Sequence, residues 1–498
     1  MADWYVTQSG AGAQDGTSLS DAWAASDFNT AGNWGAGGDQ ISPGDTVHLS
    51  GTISTALSVQ ASGTAGNITT ILFDTDAKLS AASFPASIGA SGGAIYADAK
   101  EYIKIDGGSN GIIECTDNGS APTYGNQDLS VGIHIDGGAH WKVVGLTIQN
   151  MYIALDNEGP TSQYTAGVMI YQADNVEVSR CSIDNCAYGV RTSFADTSGV
   201  EVHDCAVKKC GLGIYAGISS NGVSADNYHL HHNWISDSTP WSYNDGIKVV
   251  GRNNNTDHFT RVNIHHNVLG PNLSQASHPA TACILVRSGW YIAPQIHHNV
   301  CIGNSGDNFG NALIALGGVD PAYEAGIHDM RGRVYNNVLY TAQTATEIML
   351  YFTDQVQGMW VYNNIFVAAG KVRAIYLGDT DHELIVCDRN FYDTDGDLEF
   401  RDGDESILSF AEWKALGHDP NSIEGIAPWE STDLVNPAGP DDKAFSGNDS
   451  FVAAQEILNQ ISPLDVDYVG AFPHPKRMGA KALMVETLQA RGFHVCHS

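Results

Sequence analysis

Leu230-His231-His232-Asn233, Ile264-His265-His266-Asn267 and Ile296-His297-His298-Asn299 are one phrase written three times. It continues as Val334-Tyr335-Asn336-Asn337, Val361-Tyr362-Asn363-Asn364 and Val386-Cys387-Asp388-Arg389-Asn390. Upstream, Val202-His203-Asp204-Cys205 and Val178-Ser179-Arg180-Cys181 hold the same place. From Asn233 to Asn390 the closing asparagines fall 34, 32, 38, 27 and 26 residues apart. A repeat of this length, made of short apolar strands with no helical segment between them, is the signature of a solenoid. Alternation turns Ile264 inward and His265 outward. Asn267 returns inward at a bend, and its amide is satisfied by bonding the same amide on the next coil. Cys181 and Cys205 extend that inward column with small apolar side chains.

Composition agrees with a turn-rich chain that has a large core. Of 498 residues, 54 are glycine, 43% are hydrophobic and only 16% are charged,. Length alone would suggest about three domains, but a continuous repeat makes one long domain. The fold class read from the sequence is all-β. It is a single β solenoid over 41–400, a right-handed parallel β-helix by the resemblance given next, with an N-terminal cap over 1–40 and a C-terminal cap and irregular tail over 401–498. Acidic residues outnumber basic ones 56 to 24, for a net charge of −32, which excludes nucleic acid and anionic membrane as partners,. The sequence holds no apolar run long enough to span a bilayer. No signal peptide is visible after Met1,. These features fit an extracellular protein or a virion-associated one. The nine cysteines fall mostly within strand patterns and read as buried thiols, with no cysteine–histidine spacing of a zinc site,.

Two segments carry a family resemblance. Asp3-Trp4-Tyr5-Val6-Thr7-Gln8-Ser9-Gly10, Asp15-Gly16-Thr17-Ser18, Ala22-Trp23 and Pro43-Gly44-Asp45-Thr46-Val47-His48-Leu49 resemble the opening of the pectin-lyase-like right-handed β-helix superfamily. Phe410-Ala411-Glu412-Trp413-Lys414, Gly417–Ile423 and Val469-Gly470-Ala471-Phe472 resemble its C-terminal segment. The resemblance covers most of the chain. It implies the fold strongly, and a polysaccharide or oligosaccharide as partner.

A second strand recurs from Gly93 onward. Aligned on inward residues, its outward column reads Tyr96, His134, Met169, Arg191, Tyr215, Lys248, Leu285, Ile314, Leu350, Tyr376. Two residues later runs another column, with Asp98, Asp136, Tyr171 and Arg287. Arg191, Lys248 and Arg287 place scarce basic residues on one face, beside the insertions read between 212 and 333,. Adjacent coils stack about 4.8 Å apart and the two-residue offset adds roughly 7 Å, so Lys248 and Arg287 can converge on one sugar. The chemistry this suggests is β-elimination on a uronate-containing polysaccharide, which enzymes of the resembled fold perform with Lys or Arg as base. Lys248 is the expected base, Arg287 the carboxylate neutraliser and Tyr215 the proton donor. Arg191, Asp245, Trp241, Tyr243, Trp290 and His134 are candidate substrate-binding residues. Alternation puts Asp245 on the face opposite Lys248, leaving Arg287 as the dominant neighbour.

Hydrolysis is the competing chemistry. It needs two carboxyl groups about 5–9.5 Å apart, and Asp98 and Asp136 offer such a pair with His134 beside them. A carbohydrate-binding phage fibre is the non-enzymatic alternative. A fibre would be a homotrimer, whereas a secreted enzyme of this fold would be a monomer. The outward histidines read as a packed surface phrase rather than a metal ladder, so no metal is expected there. No cofactor is required. Calcium is the one the sequence allows, at Asp393-Thr394-Asp395-Gly396-Asp397-Leu398-Glu399,.

Overall fold

The computed structural model describes residues 1–86, 91–118, 129–151, 165–193, 197–217, 224–238, 245–251, 258–270, 272–273, 282–287, 293–303, 312–317, 328–341, 348–352, 356–368, 370–378, 385–393, 398–403 and 407–425. Short strands pair in parallel from Asp3 to Gly425 and wind as a single right-handed β-helix. One 24-stranded sheet covers two faces of the coil and a 13-stranded sheet covers the third. The first two faces are continuous where the long strands Ile95–Asp106 and Val131–Val144 run from one into the other. Among the described residues, α-helix occurs only at Ala25–Phe28 and Phe410–Ala415, near the two ends of the stack. No helix among them is long and apolar enough to cross a membrane.

The repeated phrase builds one corner. Leu230, Ile264 and Ile296 pack in the core, and His231, His265 and His297 face out. The next residue must turn the chain in the left-handed region. His232, His266, His298, Asn336, Asn363 and Arg389 all have φ of 55–57°. Asn233 then enters the core. Its Nδ2 donates to Asn267 Oδ1 at 3.0 Å and to the Val202 carbonyl at 2.9 Å. The same pair of bonds recurs at Asn267, Asn299, Asn337 and Asn364. The ladder ends at Asn390, whose Nδ2 donates to Asp419 at 2.8 Å. Asp419 also accepts from Trp413 Nε1 and Tyr392 Oη, which ties the capping helix to the last coil. At the other end Trp4 stacks on Trp23 at 4.6 Å, and Asp45 accepts from Trp4 Nε1. Cys205 continues the ladder by donating its backbone N–H to Asn233 Oδ1. The eight described cysteines are buried thiols.

The other recurring strand departs from strict alternation. Gly132, Gly167, Gly189, Gly213 and Gly246 point into the core; a Cβ on Gly246 would lie 2.7 Å from Leu269 Cδ2 and 2.6 Å from the Cys283 carbonyl. The following residue, such as Ile247, also points in. The residue before each glycine therefore shares the outer side with the residue two places after it. Val131, Ala166, Met169, Tyr188 and Leu212 form an outer apolar cluster, separate from the main core, with Tyr215 packed against it. Ala282, Leu285, Ala312 and Ala315 form another.

Register corrects two members of the outward column. Leu285 pairs with Ala315, and Ala315 with Tyr351. Ile314 and Leu350 are fully buried in the main core. In these coils both sides of the strand are apolar and no glycine marks the bend, so the period of two leaves no trace in the sequence.

Candidate functional site

The register stacks His134, Met169, Arg191, Tyr215, Lys248 and Leu285 on successive rungs. Arg287 lies opposite Val250, two residues beyond Leu285, and is exposed. The surroundings of the basic residues differ from expectation. Asp245 is not on the opposite face: the double inward step at Gly246-Ile247 brings it to the side of Lys248. Its carboxylate is buried and accepts from Lys248 Nζ at 2.8 Å and from the Ala282 backbone N–H at 2.9 Å. Arg191 is 1% exposed, its guanidinium 4.5 Å from the Tyr188 ring centre and 5.4 Å from that of Tyr215. Burial pushes the Tyr215 hydroxyl above its ordinary range. Arg191 and Tyr215 thus belong to the outer apolar cluster rather than to an open cationic groove. Trp241, Tyr243 and Trp290 lie outside the described residues, as does the calcium-type turn at 394–397.

A different group assembles on the earlier coils. Tyr96 pairs with His134, and Asp98 with Asp136. Both strands bend just after the aspartates: Ala99 has φ 49°, Gly137 has 77° and Gly138 has 82°. At Gly138 any side chain would run into the Lys100 carbonyl, 1.8 Å from an added Cβ. Asp98 is exposed and Asp136 half-buried. Burial raises the Asp136 carboxyl, and the Asp98 charge adds to the rise, against the His134 and Tyr96 contacts that lower it. Burial pushes the Tyr96 hydroxyl to about 12, assisted by the charges of Asp136 and Asp98 and by a hydrogen bond with Asp136. His134 is buried, which lowers its pKa and keeps it neutral. Its Nδ1 donates to the Gly92 carbonyl at 3.2 Å, while Nε2 is buried with no hydrogen-bond partner among the described residues. His134 therefore belongs with Asp98 and Asp136, four rungs from Lys248.

These coils also carry long connections, contrary to the reading that insertions concentrate between 212 and 333. The chain spends 82–94, 116–130 and 150–165 between the third sheet and the next outward strand. The first two brace each other. Pro85 bridges Ser130, Ala86 N–H donates to the Leu129 carbonyl at 3.0 Å and Phe84 N–H donates to Ser130 Oγ at 3.2 Å. Gly93 N–H closes back onto the Pro85 carbonyl at 3.0 Å. The first of these connections reaches His134, two residues before Asp136, through the Gly92 carbonyl. The signal was available in the spacing between inward strands.

A third group lies on the outer face of the asparagine corner. His231, His232 and His265 bring their ring nitrogens within 4.8 Å of one another, as do His266, His297 and His298. Each group of three brings its nitrogens close enough together to share one ion.

The family model for the right handed beta helix region matches residues 94–268 and 131–391, together more than half of the chain. A search of curated proteins returns no match. Among solved structures, the chain is similar to the GH136 lacto-N-biosidase of Eubacterium ramulus, at 9% identity and a TM-score of 0.48, over 85% of this chain and 68% of that one. It is similar to the exopolygalacturonase of Thermotoga maritima at 10% identity and a TM-score of 0.38, over 73% and 85%. It is also similar to a tailspike protein of E. coli bacteriophage HK620 at 11% identity and a TM-score of 0.43, over 74% and 59%. These likenesses are ones of fold alone.

Proposed function

We propose, from the premise that this chain belongs to the right-handed β-helix family, that it hydrolyses a glycosidic bond at Asp98 and Asp136. One observation carries the reading: two carboxyl groups stand on adjacent rungs, and burial raises one of them. Hydrolysis needs an acid that stays protonated next to a carboxylate that does not. Asp136, half-buried and bonded to Tyr96, is suited to give its proton to the leaving oxygen. Asp98, exposed, is suited to attack the anomeric carbon. Adjacent rungs lie about 4.8 Å apart, close to the roughly 5–5.5 Å separation of retaining enzymes. The glycosyl ester on Asp98 would then be cleaved by a water that Asp136 deprotonates.

β-Elimination at Lys248 has less support. A base must offer a lone pair, and the Lys248 ammonium is held by the Asp245 carboxylate at 2.8 Å. Taking a proton from substrate would first require breaking that pair. The acidic surface and a glycan substrate fit action outside the cell, by a free monomer or as part of a virion.

The test is a panel of neutral and acidic polysaccharides, scored for reducing ends and for new ultraviolet absorbance. The expected result is reducing ends without absorbance, lost by at least about a thousandfold in Asp98→Asn and Asp136→Asn. An unsaturated product that disappears with Lys248→Ala would overturn hydrolysis in favour of elimination. No cleavage, with a stable trimer, would favour a binding fibre.

A further inference from the structure

The repeated histidines form two parallel stacks. His203, His231, His265 and His297 stack at 4.9, 4.7 and 4.9 Å, and Tyr335 and Tyr362 continue the column. His232, His266 and His298 form the second stack at 4.8 Å. Within each coil the two rings stand nearly perpendicular, and their Nδ1 atoms approach to 2.8 Å in all three pairs.

Proton positions follow from the outer partners. His231 Nε2 lies 3.0 Å from Glu201 Oε1, which can only accept, so the ring carries its proton on Nε2 and presents a bare Nδ1,. His297 Nε2 lies 3.0 Å from Asn263 Oδ1 and is fixed in the same way. A histidine whose far nitrogen is held by a carboxylate or amide oxygen has the orientation and tautomer of a metal ligand. His298 Nε2 accepts from Asn336 Nδ2 at 3.2 Å, so its Nδ1 carries the proton shared with His297. The Asn336 Oδ1 has no partner among the described residues. Turning that amide over would let Oδ1 receive a proton on His298 Nε2 and free both Nδ1 atoms of the pair.

Neutral imidazole is the form that binds metal. The 2.8 Å separation, spanned here by a hydrogen bond, is also close to that of two nitrogens on one ion at a right angle. Two nitrogens each about 2.0–2.1 Å from one ion lie roughly 2.9 Å apart at a right angle and about 3.4 Å apart at the tetrahedral angle. Right-angled nitrogen sites suit Cu(II) and Ni(II). The third nitrogen of each group lies within 4.8 Å of the other two, on a ring stacked parallel to one of them, and that ring must turn out of the stack to aim its lone pair at the ion.

We propose that this corner is a copper- or nickel-type binding surface, with one ion held by His231, His232 and His265 and a second by His266, His297 and His298. On binding, each coil's shared Nδ1 proton passes to Nε2 of the same ring, which stays neutral, and metal–Nδ1 bonds replace the Nδ1–H···Nδ1 bond. No electron transfer is involved.

The experiment uses the full chain without an affinity tag, titrated with Cu(II) alone and followed by calorimetry and electron paramagnetic resonance. Expected are two ions per chain at micromolar or tighter affinity, with splitting from several nitrogens. His232→Asn and His298→Asn should each lose one ion, and the double variant both. Asparagine already fills that left-handed position at Asn336 and Asn363, with φ of 56°, so these variants should fold; circular dichroism and the melting midpoint check this. Two ions retained by the double variant, or only millimolar binding by the native chain, would overturn the proposal.

Discussion

The Asp245 carboxylate holds the Lys248 ammonium at 2.8 Å from three residues away, although uniform alternation would set the two on opposite faces of the strand. The glycine between them is the cause. Gly246 and Ile247 both turn inward, and the charged residues on either side are left together.

That pair should behave as a buried one, since the Asp245 side chain is 0% exposed and that of Lys248 14%. Removing one partner of a buried pair costs about 3–5 kcal/mol, whereas replacing both with apolar groups is often neutral. Asp245→Leu alone should lose about 3 kcal/mol in urea unfolding. Asp245→Leu with Lys248→Leu should recover part of it, because the neighbouring rungs carry Leu212 and Leu285 at those places, while the Ala282 N–H stays without its acceptor. Equal losses in the single and double variants would show that the pair is not coupled.

Asn267→Leu breaks the ladder in both directions. It leaves the Asn299 Oδ1 without one donor, the Asn233 Nδ2 without one of its two acceptors and the Asn233 backbone N–H without its acceptor. An orphaned buried polar group costs about 1–3 kcal/mol, so the denaturation midpoint should fall accordingly. An unchanged midpoint would mean that the ladder adds nothing to stability.

The raised Asp136 carboxyl has opposite consequences for stability and turnover. Its folded pKa lies above the unfolded value, so the native state holds a proton that the unfolded state releases,. That stability is fully present below the unfolded pKa and is lost as pH rises through the folded one. Asp136→Asn should therefore melt higher than the native chain at neutral pH while losing turnover. For the hydrolysis proposed above, turnover by the native chain should fall on the alkaline side as Asp136 gives up its proton. A lower melting midpoint for the variant at neutral pH would contradict the burial argument.

The histidine stacks should make the fold acid-sensitive. Unfolded histidine takes up a proton near pH 6.5, whereas His265 resists protonation until about 2,. The unfolded state binds more protons between those values, so stability falls as pH drops below about 6.5, by on the order of 1 kcal/mol per ring at pH 5. His265→Tyr with His297→Tyr should flatten the midpoint between pH 7 and 5, since Tyr335 and Tyr362 already continue that stack. An undiminished acid slope in this variant would place the sensitivity elsewhere.

Much of the fold was legible because it rests on local rules repeated many times. The Asn233–Asn390 spacing, the inward Leu230, Ile264 and Ile296, and the bend at each asparagine all follow from a period of two interrupted at one fixed place. The Asp98 and Asp136 column was legible for the same reason. The sequence by itself therefore determined the solenoid, its ladder and which aspartates share a face.

Only the tertiary structure decided what surrounds the charged groups. Where Gly246 turns two successive residues inward, no count along the chain reveals that Asp245 meets Lys248, or that Arg191 lies under Tyr188 and Tyr215. Ala315 and Tyr351 escaped because strands apolar on both sides carry no periodic mark. The Nδ1 pairing of His231 with His232 depends on a perpendicular ring arrangement set by the corner and by Glu201 on the preceding coil. Strand order along one face is written in the sequence. Burial, proton position and ion pairing depend on neighbours some 30 residues away, and those come together only when the coils stack.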